Sequence, residues 1–200
     1  MRRRFVIIGQ KTTASSDFLL DDIPGTSGRL DILLRCVRAA LLYSHGLRRD
    51  TIVYLVLLGG PSAPRSVRID GAAAQFVRPD ERALAALIKK TLSSREDENA
   101  TGFVDVKTGI AIAKGGVDVV LADVGDIAKF VLDEQGSDFR EIDDLGRNDA
   151  AFFIGDHLGF DAATDAQLKS IGATSIRVGP VSLHAEDVVT LVANQLDRTA

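Results

Sequence analysis

The feature that most constrains the fold is an uninterrupted apolar run at residues 51–58, Thr-Ile-Val-Tyr-Leu-Val-Leu-Leu. A strand without alternating polar residues is typical of the inside of a parallel sheet, where helices cover both faces. Shorter apolar runs at residues 4–9 and 151–154 predict two further buried strands. Helical patterns lie between such runs, so the chain is predicted to be α/β with a mostly parallel sheet.

The other elements are predicted from capping residues and apolar spacing. Ser27 is expected to cap a helix over residues 28–44, which ends at His45 and Gly46. Asp80 is expected to cap a second helix, which runs to about residue 92. Residues 11–27 are predicted to form a loop, and residues 93–101 an exposed linker. Further strands are expected at residues 66–70, 109–113, 128–132, 138–142 and 175–178, and helices at 116–122, 164–171 and 184–197.

Length and composition suit a single domain over residues 1–200, with a basic half (residues 1–100) and a second half at about 105–198. The chain has 200 residues, of which 46% are hydrophobic. No apolar run approaches the ~18 residues of a membrane span, so no membrane association is expected. The single cysteine, Cys36, cannot form an internal disulfide, which favours a reducing cytoplasm.

Charge is distributed unevenly along the chain. The net charge is −4, yet residues 1–100 carry 16 Lys and Arg against 11 Asp and Glu, and residues 101–200 carry 8 against 17. A basic half is typical of a protein that binds a polyanion such as RNA. The alternative is that the arginines pair with acids of the same molecule. Composition does not decide between these two interpretations.

The glycine motifs of the common nucleotide-binding α/β proteins are absent from the sequence. G-x-G-x-x-G, G-x-x-x-x-G-K-[ST] and G-x-S-x-G do not occur. This argues against a Rossmann-type nucleotide enzyme and against a P-loop protein; a Ser-His-Asp hydrolase is not excluded, but nothing positions one. Three widely spaced histidines and one cysteine give no metal-ligand cluster, so no metal is expected.

Two strand-like runs in the second half each end in a glycine turn. Residues 151–154 lead into Gly155, and residues 174–178 lead into Gly179. Glycine lets the backbone approach a ligand closely, so two adjacent turns of this kind predict a cup of main-chain donors and acceptors for a nucleoside-like cofactor. The alternative is that both glycines simply end strands.

Seven segments follow one another in a recognisable order. They are Asp21-Asp22-Ile23-Pro24-Gly25, the stretch that begins Gly28-Arg29-Leu30-Asp31, Ser44-His45-Gly46-Leu47-Arg48-Arg49-Asp50, Tyr54-Leu55-Val56-Leu57, Pro79-Asp80-Glu81-Arg82, Phe153-Ile154-Gly155-Asp156-His157-Leu158-Gly159 and Leu183-His184-Ala185. They are spread over nearly the whole chain and resemble the archaeal-type tRNA pseudouridine N1-methyltransferases, which belong to the SPOUT class of S-adenosylmethionine-dependent RNA methyltransferases.

The resemblance implies a SPOUT-type α/β knot, with a trefoil knot in the C-terminal part, and a homodimer. It also implies that S-adenosylmethionine is held mainly by the backbone of three loops. In this sequence the loops fall on Leu132, on Gly155, and on Val178, Gly179, Pro180, Val181, Ser182 and Leu183. Val188 stands where the family commonly has cysteine, so a thiol is not available there, and Ser62 stands where an acid or similar polar residue is frequent.

The resemblance implies a reaction as well: methyl transfer to N1 of pseudouridine in tRNA, at position 54 of the T-arm. Two alternatives stay open, because fold does not fix substrate. One is another pseudouridine or uridine in tRNA or rRNA. The other is a knotted RNA-binding assembly factor that keeps the cofactor pocket without turnover.

Candidate residues for the chemistry follow from this substrate. N1 of pseudouridine loses a proton, so a general base is useful, although positioning can supply much of the rate. Asp31, Asp156 and His157 are the candidates; alternatively Asp31 pairs with Arg35 one helical turn on, and Asp156 caps a turn. Cations around a flipped-out base are expected to hold RNA phosphates, and the predicted contacts are Arg29, Arg35, Arg48 and Arg49.

Overall fold

The computed structural model describes residues 1–94, 100–143 and 145–199. Its strands are β1 (Arg3–Thr13), β2 (Leu42–Tyr43), β3 (Gly46–Leu47), β4 (Thr51–Gly59), β5 (Arg65–Asp70), β6 (Val104–Lys107), β7 (Ile110–Lys114), β8 (Ala128–Asp138), β9 (Ala150–Gly155) and β10 (Thr174–Arg177). Its helices are α1 (Ile23–Thr26), α2 (Leu30–Leu41), α3 (Glu81–Leu92), α4 (Val117–Val124), α5 (Ala162–Ser170) and α6 (Ala185–Thr199), with a 3₁₀ turn at Phe139–Glu141.

Eight of the strands form one sheet in the order β10-β8-β9-β1-β4-β5-β7-β6, and β2 and β3 form a separate hairpin. The pairs from β10 to β4 are parallel, and the pairs from β4 to β6 are antiparallel. The predicted α/β class with a mostly parallel sheet is confirmed. The trefoil knot stays a prediction.

Alternate residues of β1 show why the central strands read as continuous apolar runs. Phe5 and Ile7 belong to one hydrophobic cluster, which contains residues of α2, α3 and α6. Val6 and Ile8 belong to a second cluster on the other face, which contains residues of α4 and α5. Both faces of the sheet are covered by helices, so the strand has no side on which a polar residue is favoured.

The structure corrects several predicted boundaries. The first strand continues to Thr13, so the predicted loop begins later. The helix predicted to reach residue 44 ends at Leu41, because the chain turns back in the β2–β3 hairpin. The strand predicted at residues 138–142 is wrong: the Asp138 carboxylate accepts a hydrogen bond from the Arg140 backbone N–H at 3.0 Å and starts a 3₁₀ turn. Part of the predicted linker, residues 95–99, lies outside the described residues, and β6 was not predicted.

Ser27 makes a capping contact without occupying the cap position. Its hydroxyl accepts a hydrogen bond from the Leu30 N–H at 3.0 Å. The residue directly before α2 is Arg29, whose backbone is left-handed with φ 71°. The prediction of Ser27 as the N-cap is therefore wrong: the helix begins two residues later than predicted, and Ser27 contacts its first N–H from outside the cap position.

A break in the pairing of β8 with β10 shapes the carboxyl edge of the sheet. Ser175 lies opposite Val131, whereas the next residue, Ile176, lies opposite Ser137. Residues 132–136 therefore leave the ladder as a five-residue excursion, named here the β8 excursion. It reaches the same edge at which the parallel strands β9 and β10 end.

Candidate cofactor and RNA site

A cleft of about 900 Å³ opens at the carboxyl edge of the parallel strands. Its walls are the β8 excursion, the turn after β9, the segment that joins β10 to α6, and the beginning of α2. This is the usual position and size of a small-molecule site in an α/β sheet. Residues of these four walls that line it include Arg29, Ile32, Arg35, Leu132, Glu134, Ile154, Gly155, His157, Ile176, Arg177, Val178, His184 and Glu186.

Most of the residues predicted to hold the cofactor meet in this cleft. Pro180 is not among the lining residues. The others line it together, although they come from three separate segments of the chain: Leu132, Gly155, Val178, Gly179, Val181, Ser182, Leu183 and Val188. That they contact the cofactor stays a prediction.

The two glycine turns differ in why they need glycine. A Cβ at Gly155 would lie 2.8 Å from the backbone of Gly159, because the turn folds back on itself there. A Cβ at Gly179 would have no neighbouring atom within 4 Å. Gly155 is therefore explained by the packing of the chain alone, whereas the small size of Gly179 leaves open space beside the cleft.

Asp156 joins β9 to β1. Its buried carboxylate accepts hydrogen bonds from the backbone N–H groups of Gln10 at 2.9 Å and Leu158 at 2.8 Å. Asp156 therefore caps a turn, which is the second of the two roles predicted for it from the sequence. His157, the next residue, is 40% exposed at the cleft, with Nδ1 3.9 Å from an Asp156 carboxylate oxygen.

A network of charged side chains closes the α2 side of the cleft. The Asp31 carboxylate accepts hydrogen bonds from Arg29 Nε at 3.0 Å and from Arg35 Nη1 at 3.0 Å. Arg35 also donates from Nε to Glu186 in the first turn of α6 at 2.7 Å. The predicted pairing of Asp31 with Arg35 is present, and it extends the network across the cleft to α6.

Asp31 is the buried member of this network, with its side chain only 4% exposed. Burial disfavours its charge, but the hydrogen bonds and charges of Arg29 and Arg35 outweigh that effect, so the pKa of Asp31 lies below its usual value. A carboxylate with a lowered pKa and two arginine partners is a poor acceptor for a substrate proton. The geometry therefore favours a structural role over a general-base role for Asp31.

Arg29 reaches the cleft from a strained backbone. A left-handed φ of 71° costs a non-glycine residue roughly 1–2 kcal/mol. The conformation places the guanidinium between Asp31 and solvent, with the side chain 44% exposed. Strain kept at a cleft residue is typical of functional sites.

The structure does not bring Arg48 and Arg49 to the cleft. Arg48 donates two hydrogen bonds to Asp197 near the end of α6, and Arg49 donates to the carbonyls of Gly71, Ala72 and Ala74. Both precede β4, at the amino edge of the parallel strands. From Glu186 at the cleft to Asp197 is eleven residues of helix, about 16 Å.

Several cleft residues were missed by the sequence analysis. Glu134 accepts a hydrogen bond from the Ser182 hydroxyl at 2.6 Å, which ties the β8 excursion to the segment after β10. Arg177 donates to the Gly136 carbonyl at 2.6 Å across the same gap. Asp133 and Glu134 directly follow the apolar core of a strand. This pattern could have predicted that the β8 excursion lines the cleft.

The lining offers apolar surface, main-chain hydrogen-bonding groups and charges of both signs, and its arginines are Arg29, Arg35 and Arg177. Leu132, Ile154 and Val178 offer apolar surface, and the turn backbones offer hydrogen-bonding groups. Acidic side chains (Asp133, Glu134, Glu186 and Asp187) surround the same space. Among the described residues, no group of three His, Cys, Asp or Glu side chains could hold a metal ion, and no helix among them is long and apolar enough to span a membrane.

Comparison with known proteins gives consistent matches over the full chain. A family model for "SAM-dependent RNA methyltransferase" matches residues 1–200. The tRNA (pseudouridine(54)-N(1))-methyltransferase of Methanosarcina acetivorans is 41% identical over 198 residues, covering 98% of this chain and 91% of the relative. The protein of the same name from Halobacterium salinarum is 40% identical over 196 residues, with coverages of 98% and 96%.

A solved structure is similar as well. Archaeoglobus fulgidus Nep1 bound to S-adenosylhomocysteine superposes with a TM-score of 0.69, covering 100% of this chain and 99% of that one. Sequence identity between the two is 19%, so this likeness concerns the fold.

Proposed function

The chain belongs to the family of S-adenosylmethionine-dependent RNA methyltransferases, and we propose that it methylates N1 of pseudouridine at position 54 of tRNA. The observation that carries the proposal is a sequence identity of 40–41%, over nearly the full length, to relatives named for this reaction. The cleft at the carboxyl edge of the sheet supports it, because its apolar walls and acidic rim suit this cofactor.

Different residues of the cleft have different roles in the proposed binding of the cofactor. S-adenosylmethionine, when bound, supplies a methyl group on a positively charged sulfur. Main-chain groups from Gly155 and from residues 178–183 hold the cofactor, and Leu132 and Val188 pack against it. Glu134 and Asp187 provide negative charge at the rim, which favours a cationic ligand.

The RNA side of the site lies at the beginning of α2. Arg29 and Arg35 line the cleft and present guanidinium groups to a phosphate close to the target nucleotide. We propose that His157 accepts the proton that N1 of pseudouridine loses. Its support is position: His157 is exposed at the cleft, whereas the Asp31 and Asp156 carboxylates are already engaged by arginines and backbone N–H groups.

We also propose that the chain works as a homodimer in the cytoplasm, with residues 1–200 as one knotted domain. Leu158, Val181 and Leu183 are exposed apolar residues beside the cleft, at 47%, 62% and 38% exposure, and a second copy would cover them. Sedimentation as a monomer at working concentration would refute the dimer.

A methyl-transfer assay tests the reaction. Tritium transfer from labelled S-adenosylmethionine is measured with tRNA that carries either uridine or pseudouridine at position 54. We expect transfer only to the pseudouridine tRNA, with N1-methylpseudouridine at position 54 in the nuclease digest.

Each alternative gives a different result in the same assay. Transfer to another nucleotide would replace the assigned target. Cofactor and tRNA binding without transfer would indicate an assembly factor and refute the enzymatic proposal.

A further inference from the structure

Phe76 is an aromatic side chain that the methyl-transfer site does not use. It is 82% exposed, more than any other large hydrophobic residue among those described. Its backbone is left-handed, with φ 59°. This conformation is unfavourable for a bulky side chain, and glycine would adopt it freely. An exposed phenylalanine in a strained backbone adds nothing to the core; its ring faces the Lys107 ammonium group instead.

The loop before Phe76 is held rigidly. Arg49 donates to three of its carbonyls, at residues 71, 72 and 74. Asp70 accepts hydrogen bonds from the backbone N–H groups of Ala72 and Ala74. On the other side Val77 is buried at 8% exposure. The chain is thus anchored before and after Phe76, and the ring projects into solvent from a fixed position.

One cation lies beside the ring, and a second is close to Phe76 in the sequence. Lys107 Nζ is 5.5 Å from the ring centroid, and Arg78 follows two residues later in the chain. Within the part of the chain that the structure describes, neither has a carboxylate within 4 Å. By contrast, most arginines of the basic half are paired with Asp or Glu: Arg2, Arg3, Arg4, Arg29, Arg35, Arg48, Arg68 and Arg82.

This surface is far from the cleft. Lys107 ends β6, the edge strand, and Gly155 ends β9, five strand positions away in the sheet. At about 4.8 Å per strand the separation is on the order of 24 Å. One nucleotide cannot span it, so a ligand that touches both places must be a large, folded one.

We propose that Phe76, Lys107 and Arg78 form a second contact for the RNA substrate, in which an unpaired base stacks on the Phe76 ring and the two cations hold its phosphates. An exposed aromatic ring flanked by cations is the arrangement that binds unstacked bases without reading their sequence. The inference rests on the proposed RNA substrate and adds a contact outside the methylated nucleotide.

Binding of fluorescein-labelled tRNA, measured by anisotropy without cofactor, tests this contact. Phe76→Gly should weaken tRNA binding about tenfold, the scale of one lost base stack, while its unfolding temperature stays equal to or above that of the parent, because glycine relieves the left-handed strain. Phe76→Tyr keeps the ring and should bind as the parent does. Leu19→Ala, which truncates another exposed apolar side chain (58%), is the matched control and should change nothing.

The cations and the RNA length give two further readouts. Lys107→Ala and Arg78→Ala should each lower the slope of log affinity against log salt by about 0.7–0.9. An isolated T-arm hairpin, which lacks most of the folded tRNA, should lose less affinity on Phe76→Gly than full-length tRNA does.

The outcomes separate this contact from the proposed reaction. Equal tRNA affinity of Phe76→Gly and the parent overturns the stacking contact, even if methyl transfer to pseudouridine 54 is observed. If Phe76→Gly binds tRNA more weakly, has the oligomeric state of the parent, and neither protein transfers a methyl group, the stacking contact stands and only the proposed reaction is refuted. A change of oligomeric state in Phe76→Gly, with unchanged tRNA affinity, would make the surface a protein contact and overturn the inference.

Discussion

At the scale of single residues, Asp31 shows how a buried carboxylate organises a binding site. Its two oxygens hold Arg29 and Arg35, and through Arg35 they reach Glu186 on another helix. Without the carboxylate, Arg29 would lose the acid with which it pairs, and Arg35 would keep Glu186 and Glu81. The residue therefore sets the direction in which both arginines point, and its charge has to be present for the site to form.

Replacing Asp31 by asparagine should lower the free energy of unfolding by about 1–3 kcal/mol at pH 7. The range is below that for a fully buried pair, because both arginines are partly exposed. Since the folded-state pKa of Asp31 lies below its unfolded value of about 3.9, its contribution is complete above that pH and is lost as pH falls through the folded-state pKa. Urea unfolding of Asp31→Asn and the parent between pH 7 and pH 3 measures this.

The difference between the two proteins isolates Asp31 from the other acids. Asp149, Asp161 and Asp197 also have lowered pKa values, so both proteins should lose stability in acid. The gap between them should be constant from pH 7 to about pH 5 and shrink below about pH 4. A gap that stays constant down to pH 3 contradicts the assigned electrostatic role.

At the scale of elements, the two glycine turns have different functions although they read alike in the sequence. Gly155→Ala should destabilise the protein, because the added methyl group meets the backbone of Gly159 at 2.8 Å. Gly179→Ala meets no protein atom within 4 Å, so its stability should match the parent, while S-adenosylhomocysteine affinity falls about tenfold, on the order of 1.4 kcal/mol. Thermal unfolding and calorimetric titration of both variants check the contrast; unchanged affinity in Gly179→Ala places the cofactor elsewhere in the cleft.

Local sequence patterns identified the elements well where local physics decides them. The apolar run at residues 51–58 became β4, and Asp80 caps α3 through the Ala83 N–H at 2.8 Å. The β8 excursion could not be predicted, because it depends on pairing with β10, some forty residues later. The strand predicted at residues 138–142 failed because one carboxylate turns the backbone, an effect that strand propensity does not contain.

The same limit applied to the site. The three segments predicted to hold the cofactor came from two glycine turns and the family resemblance, and the structure brings most of their residues to one cleft. Arg48 and Arg49 look like Arg29 and Arg35 in the sequence, yet only the latter two reach that cleft. Their difference arises from topology: Arg48 and Arg49 lie just before β4, at the edge of the sheet opposite the cleft, where Arg48 pairs with Asp197, 149 residues away.

At the scale of the whole molecule, the uneven charge distribution joins the two halves of the chain. Arg4 pairs with Asp149, Arg35 with Glu186, and Arg48 with Asp197. Each pair links a basic residue of the first half to an acid of the second. Most arginines of the basic half therefore form ion pairs within the molecule, and only a few cations are left to bind RNA.

The lining of the cleft comes from limited parts of the chain, so a ligand that binds there should affect one part of the molecule more than the rest. All lining residues of the cleft among those described belong to residues 29–35 or to residues 132–188. A ligand slows exchange at amides that open locally in its site, whereas amides that exchange only by global unfolding slow everywhere. Rapidly exchanging amides therefore report where the cofactor binds.

Hydrogen exchange with and without S-adenosylhomocysteine should thus give a one-sided result. The β8 excursion and residues 178–184 should gain protection, while turn residues 107–110, which connect β6 to β7 at the far edge of the sheet, should exchange at an unchanged rate. At a ligand concentration 100 times Kd, global stability should rise by about 2.7 kcal/mol, which sets the upper limit for protection anywhere in the chain. Equal protection of the 107–110 turn would show that the cofactor acts beyond its cleft, and it would contradict the expected difference between the cleft side and the antiparallel edge.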